Sequence, residues 1–210
     1  MLVFFALLVG ALLGCREAAK PAKTDAVPSA SPPESAPATQ RFLVYAEHGS
    51  KEHRFAPSGH LGDFAATAKM DMACAEQPHE GKTCVMVTYS PKEQRSWCGA
   101  YWLHPAKNWG DQPGGHDLRG ATRLTFWARG EKGGEVVEFK LGGLPGEFGD
   151  TAEATTGPIK LTTDWREHSI PLRGLDLSRI VGGFAWLVTA ADNPDGCTFY
   201  LDDIGFEIAK

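Results

Sequence analysis

The sequence predicts an all-β fold, a sandwich of two antiparallel sheets. Three observations carry that prediction. Short runs rich in β-branched and aromatic residues recur along the chain, 24 Gly and 14 Pro punctuate it throughout, and no longer stretch carries a helical apolar stripe. No internal repeat is visible.

The globular part is preceded by two segments of different composition. Residues 1–14 contain no charged side chain. They are too few to span a bilayer core of about 30 Å, which needs roughly 20 residues, but they fit the apolar part of a secretory signal. Leu12-Leu13-Gly14-Cys15 resembles a bacterial lipobox, which implies a lipidated Cys15. No Lys or Arg precedes the apolar run, a departure that an incomplete start would explain. A plain signal peptide with a coincidental Cys is the alternative. Arg16 after the Cys, by resemblance to Gram-negative lipoproteins, favours the outer membrane or cell surface. Residues 16–40 are dominated by Pro, Ala and Ser without an aromatic, the composition of an extended tether. Residues 41–210 are then one domain, large enough for its own core.

Within that head the strands follow in order. Phe42–Tyr45 is the first, then Thr83–Tyr89 and Trp97–Leu103. Arg123–Arg129 and Glu135–Leu141 are joined by the turn Gly130–Gly134, and Trp165–Leu172, Phe184–Thr189 and Cys197–Glu207 complete the set. Alternation assigns faces. Leu124, Phe126 and Ala128 point to the core, leaving Thr125, Trp127 and Arg129 on the other face. Val137, Phe139 and Leu141 go inward, and Val136, Glu138 and Lys140 outward. Tyr101 and Trp97 share a face, and Trp102 points the opposite way.

The net charge of −5 belongs to the head, because Arg16, Lys20 and Lys23 balance Glu17, Asp25 and Glu34 in the tether. No Lys/Arg run exists, which argues against nucleic acid and makes neutral polymers better partners than anionic ones. Besides Cys15 there are four cysteines, Cys74, Cys84, Cys98 and Cys197. Their even number in an exported chain suggests two disulfides, with three possible connectivities. The turn-rich Gln77–Gly81 between Cys74 and Cys84 favours pairing those two, leaving Cys98 with Cys197. A zinc site around His79 lacks both C-x-x-C and H-x₃₋₅-H spacing.

Candidate binding residues fall into two groups. Trp127 beside Arg129 and Glu138 suits stacking of a sugar's C–H face with charged partners for its hydroxyls, unless a loop covers it. Trp97, Tyr101 and the loop residue Trp109 form the second group, Trp109 serving either ligand contact or as a lid over the core. The closing strand carries Asp202 and Asp203 within an apolar and aromatic run, and alternation predicts one facing the core and one outward. A core-facing carboxylate requires a hard cation such as Ca²⁺, an Arg, or several N–H donors.

Tyr200-Leu201-Asp202-Asp203-Ile204 resembles the Tyr-x-Asp-Asp-x closing strand of carbohydrate-binding modules with a galactose-binding-like jelly roll. The segments Asp117–Arg129 and Leu161–Leu172 and the strand order extend that resemblance over most of residues 41–210. It implies a jelly-roll sandwich with a structural Ca²⁺ and a site for a polysaccharide or oligosaccharide, on the concave sheet face or in the loops. The implied calcium ligands are Asp202, with Asp203 in reserve, Glu47 soon after the first strand, and Asp63. No G-x-S-x-G, H-E-x-x-H or P-loop motif occurs. The carboxylate pairs Glu135/Glu138 and Glu147/Asp150 are the only hint of a glycosidase. The expected function is a non-catalytic glycan-binding module displayed on the cell envelope. The alternatives are a structural or protein-binding lipoprotein and a polysaccharide-active enzyme.

Overall fold

The computed structural model describes residues 39–209; the signal segment, Cys15 and the tether up to residue 38 lie outside them. The described strands are β1 (Thr39–Tyr45), β2 (Ala56–Gly62), β3 (Ala68–Cys74), β4 (Cys84–Tyr89), β5 (Trp97–Leu103), β6 (Ala121–Gly130), β7 (Val136–Gly142), β8 (Glu153–Lys160), β9 (Arg166–Pro171), β10 (Gly182–Thr189) and β11 (Cys197–Ala209). One short helix, Phe64–Thr67, lies between β2 and β3. Sheet A has the order β3-β4-β11-β6-β9 with β1 also on β11, and sheet B the order β2-β5-β10-β7-β8. Every named pairing is antiparallel.

Three strands lacked a clear signal in the sequence: β2, β3 and β8. Each stands at or next to a sheet edge. Pro57, Gly59 and Gly62 interrupt β2, and Gly157-Pro158 interrupt β8 near a register shift. Edge strands tolerate Pro and bulges because one side of their backbone need not join a ladder.

The core lies between the sheets and is aromatic. Phe126 and Phe139 meet at 4.6 Å, Trp102 meets Phe184 at 5.4 Å and Trp186 meets Phe199 at 5.4 Å. Leu124, Phe126 and Ala128 on β6 and Val137, Phe139 and Leu141 on β7 are buried as alternation predicts. Burying such a side chain fully is worth about 1.5–3 kcal/mol, so these inward rows are what fix the register.

β11 uses one edge for two partners in succession. Cys197–Leu201 pairs with β4, and Ile204–Ala209 pairs with β1. Asp202 and Asp203 sit at the changeover, where the register against β6 also shifts between Asp202 and Gly205.

Candidate functional site

The outer face of sheet B gathers four of the residues singled out from the sequence: Trp97, Tyr101, Trp109 and Glu138. Alternation in β5 turns Trp97, Gly99 and Tyr101 outward while Cys98, Ala100 and Trp102 enter the core. In register beside them, Leu61 of β2 and Leu187 of β10 flank Gly99, with Glu138 of β7 next to Leu187. The adjoining rung runs Gly59, Tyr101, Ala185, Lys140 and Thr155.

Each aromatic on this face has its own role. Trp97 is 41% exposed, the only exposed aromatic among the described residues. Its ring lies over Gly62, where an added Cβ would stand 2.9 Å from Cδ2. Trp109, half-buried, covers Gly59 and meets Tyr101 edge-on at 6.2 Å. Tyr101 is 3% exposed and donates its hydroxyl to the Gly142 carbonyl at 2.9 Å. It therefore supports Trp109 rather than offering a ring of its own, which corrects its expected contact role. The rim is polar. Thr155 donates to Glu138 at 2.6 Å, and Lys140 pairs with Glu153. From Trp97 to Tyr101 is four residues along β5, about 13 Å at the strand rise.

The outer face of sheet A is organised differently and holds Trp127, Arg129 and the two aspartates. The loop joining β3 to β4 lies across it. His79 stacks on Trp127 with ring centroids 3.7 Å apart, so one face of that indole is already occupied. Arg129 is 8% exposed, sits 3.7 Å over the Tyr200 ring and donates to the Glu76 carbonyl at 3.0 Å. Trp165 donates its indole N–H to the Gln77 carbonyl at 2.9 Å. The expectation that Trp127 and Arg129 form an open sugar platform is corrected accordingly: the loop covers them.

The aspartates do not divide between core and solvent. Asp202 pairs with Trp127, which puts it on the outer side of the sheet. Asp203 has φ +48, an uncommon left-handed conformation for a non-glycine residue. That turn breaks the alternation and brings its carboxylate to His79, 2.9 Å from Nδ1. Asp202, fully buried, accepts the backbone N–H groups of His79 at 3.0 Å, Glu80 at 3.3 Å and Asp203 at 2.9 Å. Burial, with Asp203 adding repulsion, pushes its carboxyl up to about 6, against the pull of those N–H groups.

Glu47 grips the same loop from the other end. It accepts the N–H groups of Lys82 and Thr83 and the Thr83 hydroxyl. The Lys82 N–H is the chief reason its carboxyl stays below the usual range. Asp63 is elsewhere, before the short helix, where its carbonyl accepts Ala66 and Thr67 N–H groups. The expected calcium set is thus not brought together. Asp202 and Glu47 point their lone pairs at N–H donors, whose positive ends would face a cation, and Asp63 is no neighbour of either. As arranged, these residues do not fit calcium. Among the described residues, the group that does converge is His79, Glu80 and Asp203, of which the sequence suggested Asp203 as a calcium ligand and weighed His79 only for a zinc site with the cysteines.

No protein-family model matches the chain, and no curated protein matches it in sequence. Solved structures do. A family 30 carbohydrate-binding module superimposes with a TM-score of 0.53 at 18% identity, over 81% of this chain and 89% of that one. A family 11 module from Clostridium thermocellum, in complex with a β-1,3-1,4-mixed-linked tetrasaccharide, gives 0.52 at 15%, over 82% and 96%. The CBM22-1 xylan-binding domain of Paenibacillus barcinonensis Xyn10C gives 0.50 at 16%, over 84% and 99%. The head has the jelly-roll fold of carbohydrate-binding modules.

In this jelly roll all four cysteines of the head are buried. Cys74 and Cys84 stand directly opposite each other on β3 and β4, and Cys98 and Cys197 come from β5 and β11, one in each sheet. Burial pushes the Cys98 thiol up to about 11 and the Cys197 thiol up to about 12. Of the carboxylate pairs, Asp150 spends its oxygens on the N–H groups of Leu144, Val181 and Gly182, so it pins loops. Leu187, Thr155 and Glu153 were missed as parts of the sheet B face, while Lys140 was placed outward with Glu138 but not singled out for binding. For Leu187 the signal was available, since it alternates outward between buried Trp186 and Val188.

Proposed function

We propose that the head is a non-catalytic glycan-binding module whose ligand lies along the outer face of sheet B. The exposed ring of Trp97 carries this reading: it packs against Gly62 on a sheet face whose rim bears Glu138, Thr155, Lys140 and Glu153. Sugars stack their C–H faces on such rings and hydrogen-bond sideways to such rims. The family 11 neighbour is in complex with a β-1,3-1,4-mixed-linked tetrasaccharide and the family 22 domain is named for xylan, which makes neutral β-linked polysaccharides the class to test. The face pairs one cation, Lys140, with acidic neighbours, so it offers no basic track for an anionic polymer.

The module is displayed on the cell envelope, anchored by a lipid on Cys15 and spaced from the membrane by residues 16–40. The apolar run of residues 1–14, Leu12-Leu13-Gly14-Cys15 and the Pro-rich tether support that reading. A glycan array probed with the full chain in detergent tests the function. Binding to neutral β-linked oligosaccharides is expected. No binding to any glycan, with capture by a protein partner instead, would favour a structural lipoprotein, and release of reducing ends would make it an enzyme.

A further inference from the structure

We propose that His79, Glu80 and Asp203 form a site for a divalent transition-metal ion, zinc in particular, on the outer face of sheet A. It is independent of the glycan-binding reading. The three side chains each offer one donor atom, and those atoms lie within 4.8 Å of one another. One imidazole nitrogen with two carboxylates is a donor set for zinc and its first-row neighbours, whereas calcium takes oxygen. Zn–N and Zn–O bonds of about 2.0–2.2 Å in a tetrahedral site put donor atoms about 3.3 Å apart. His79 Nδ1 and Asp203 Oδ2 stand 2.9 Å apart, so a small widening admits an ion between them.

The groups are held for this. The His79 ring is fixed by its stack on Trp127, and its backbone by the N–H bond to Asp202. Asp203 is aimed at it by the left-handed turn of its backbone, which Arg41 holds by donating to the Asp203 carbonyl at 2.7 Å. Such outer-shell contacts orient ligands and are themselves worth about 10–100-fold in metal affinity. Glu80 is exposed and next in sequence to His79, free to close over an ion from the solvent side. Three protein ligands then leave one position for water. Bound there, the ion ties the β3–β4 loop to β11 at the point where β11 changes partner.

The test is titration of the full chain in detergent with ZnCl₂ by calorimetry, and with CoCl₂ by visible absorption. One ion per chain is expected, with a Co²⁺ spectrum free of thiolate charge transfer and competition by Zn²⁺ but not by Ca²⁺. The Glu80→Gln variant changes an exposed side chain and keeps the fold; it should weaken binding about tenfold or more, and His79→Gln should do the same. Zinc should raise the melting temperature of the wild type and not that of His79→Gln. No zinc uptake, uptake unchanged in Glu80→Gln, or a thiolate band that moves the ion to the cysteines would each overturn the proposal.

Discussion

His79 lies flat on Trp127, ring centroids 3.7 Å apart, while its Nδ1 stands 2.9 Å from the Asp203 carboxylate. This one contact divides the molecule's two faces by role. On sheet A the aromatic surface is used to seat a loop, and on sheet B the Trp97 ring stays exposed.

The loop is held by carboxylates. Replacing Asp202 by Ala strands three N–H groups, those of His79, Glu80 and Asp203. Each unsatisfied buried donor costs about 1–3 kcal/mol. We expect a loss of about 3 kcal/mol in urea unfolding for Asp202→Ala, with a smaller effect for the half-buried Glu47→Gln. A calcium chelator such as EGTA should leave the melting temperature of the wild type unchanged. A fall on adding EGTA would mean that the loop rearranges around a calcium ion.

Oxidation should link Cys74 to Cys84. Directly opposed residues of an antiparallel pair have Cα atoms about 4.5–5.5 Å apart, inside the range that a disulfide spans. Cys98 and Cys197 are expected to form the second bridge, across the two sheets. Non-reducing peptide mapping of the oxidised protein should recover these two pairs, each contributing about 2–4 kcal/mol. Any crossed pairing, or four free thiols, would contradict this.

Acid should loosen the sandwich through His168. Its ring packs on Phe126 with centroids 5.6 Å apart, and burial lowers its pKa below the ordinary 6.5. The folded protein binds this proton more weakly than the unfolded chain does. The contribution to stability is therefore complete above pH 6.5 and is lost as pH falls through the folded value. His53 and His116, both lowered by burial, add with the same sign, whereas Asp150, raised by burial, has the opposite sign. His168→Gln should lose less stability than the wild type between neutral pH and pH 5. Equal losses in the two proteins would remove His168 from this role.

The sandwich was legible in the sequence because its central strands alternate against a fully buried core. Phe126, Phe139 and Trp102 each fell on the predicted side. The edge strands β2, β3 and β8 were not, since Pro, Gly and half-buried positions blur a period of two. Trp97, Trp109 and Glu138 were legible as candidates, but their grouping on one face needed the register of four strands. The Asp202–Asp203 pair was misassigned for a single local reason. Strict alternation fails at a bulge, and nothing in Leu201-Asp202-Asp203-Ile204 announces that Asp203 takes a left-handed backbone. The cover over Trp127 comes from His79, distant in sequence, so alternation within β6 had no means of showing it.

The central claim is that glycan binds on sheet B through Trp97. Its most direct test is calorimetric titration of mixed-linked β-glucan oligosaccharides into the full chain in detergent, comparing wild type with Trp97→Ala and Trp127→Ala. A stacked ring is worth on the order of 1 kcal/mol, so wild-type binding should be micromolar to millimolar and Trp97→Ala about five- to tenfold weaker. Trp127→Ala should bind like the wild type. Loss of affinity in Trp127→Ala with Trp97→Ala unaffected would move the site to the opposite sheet and contradict the claim.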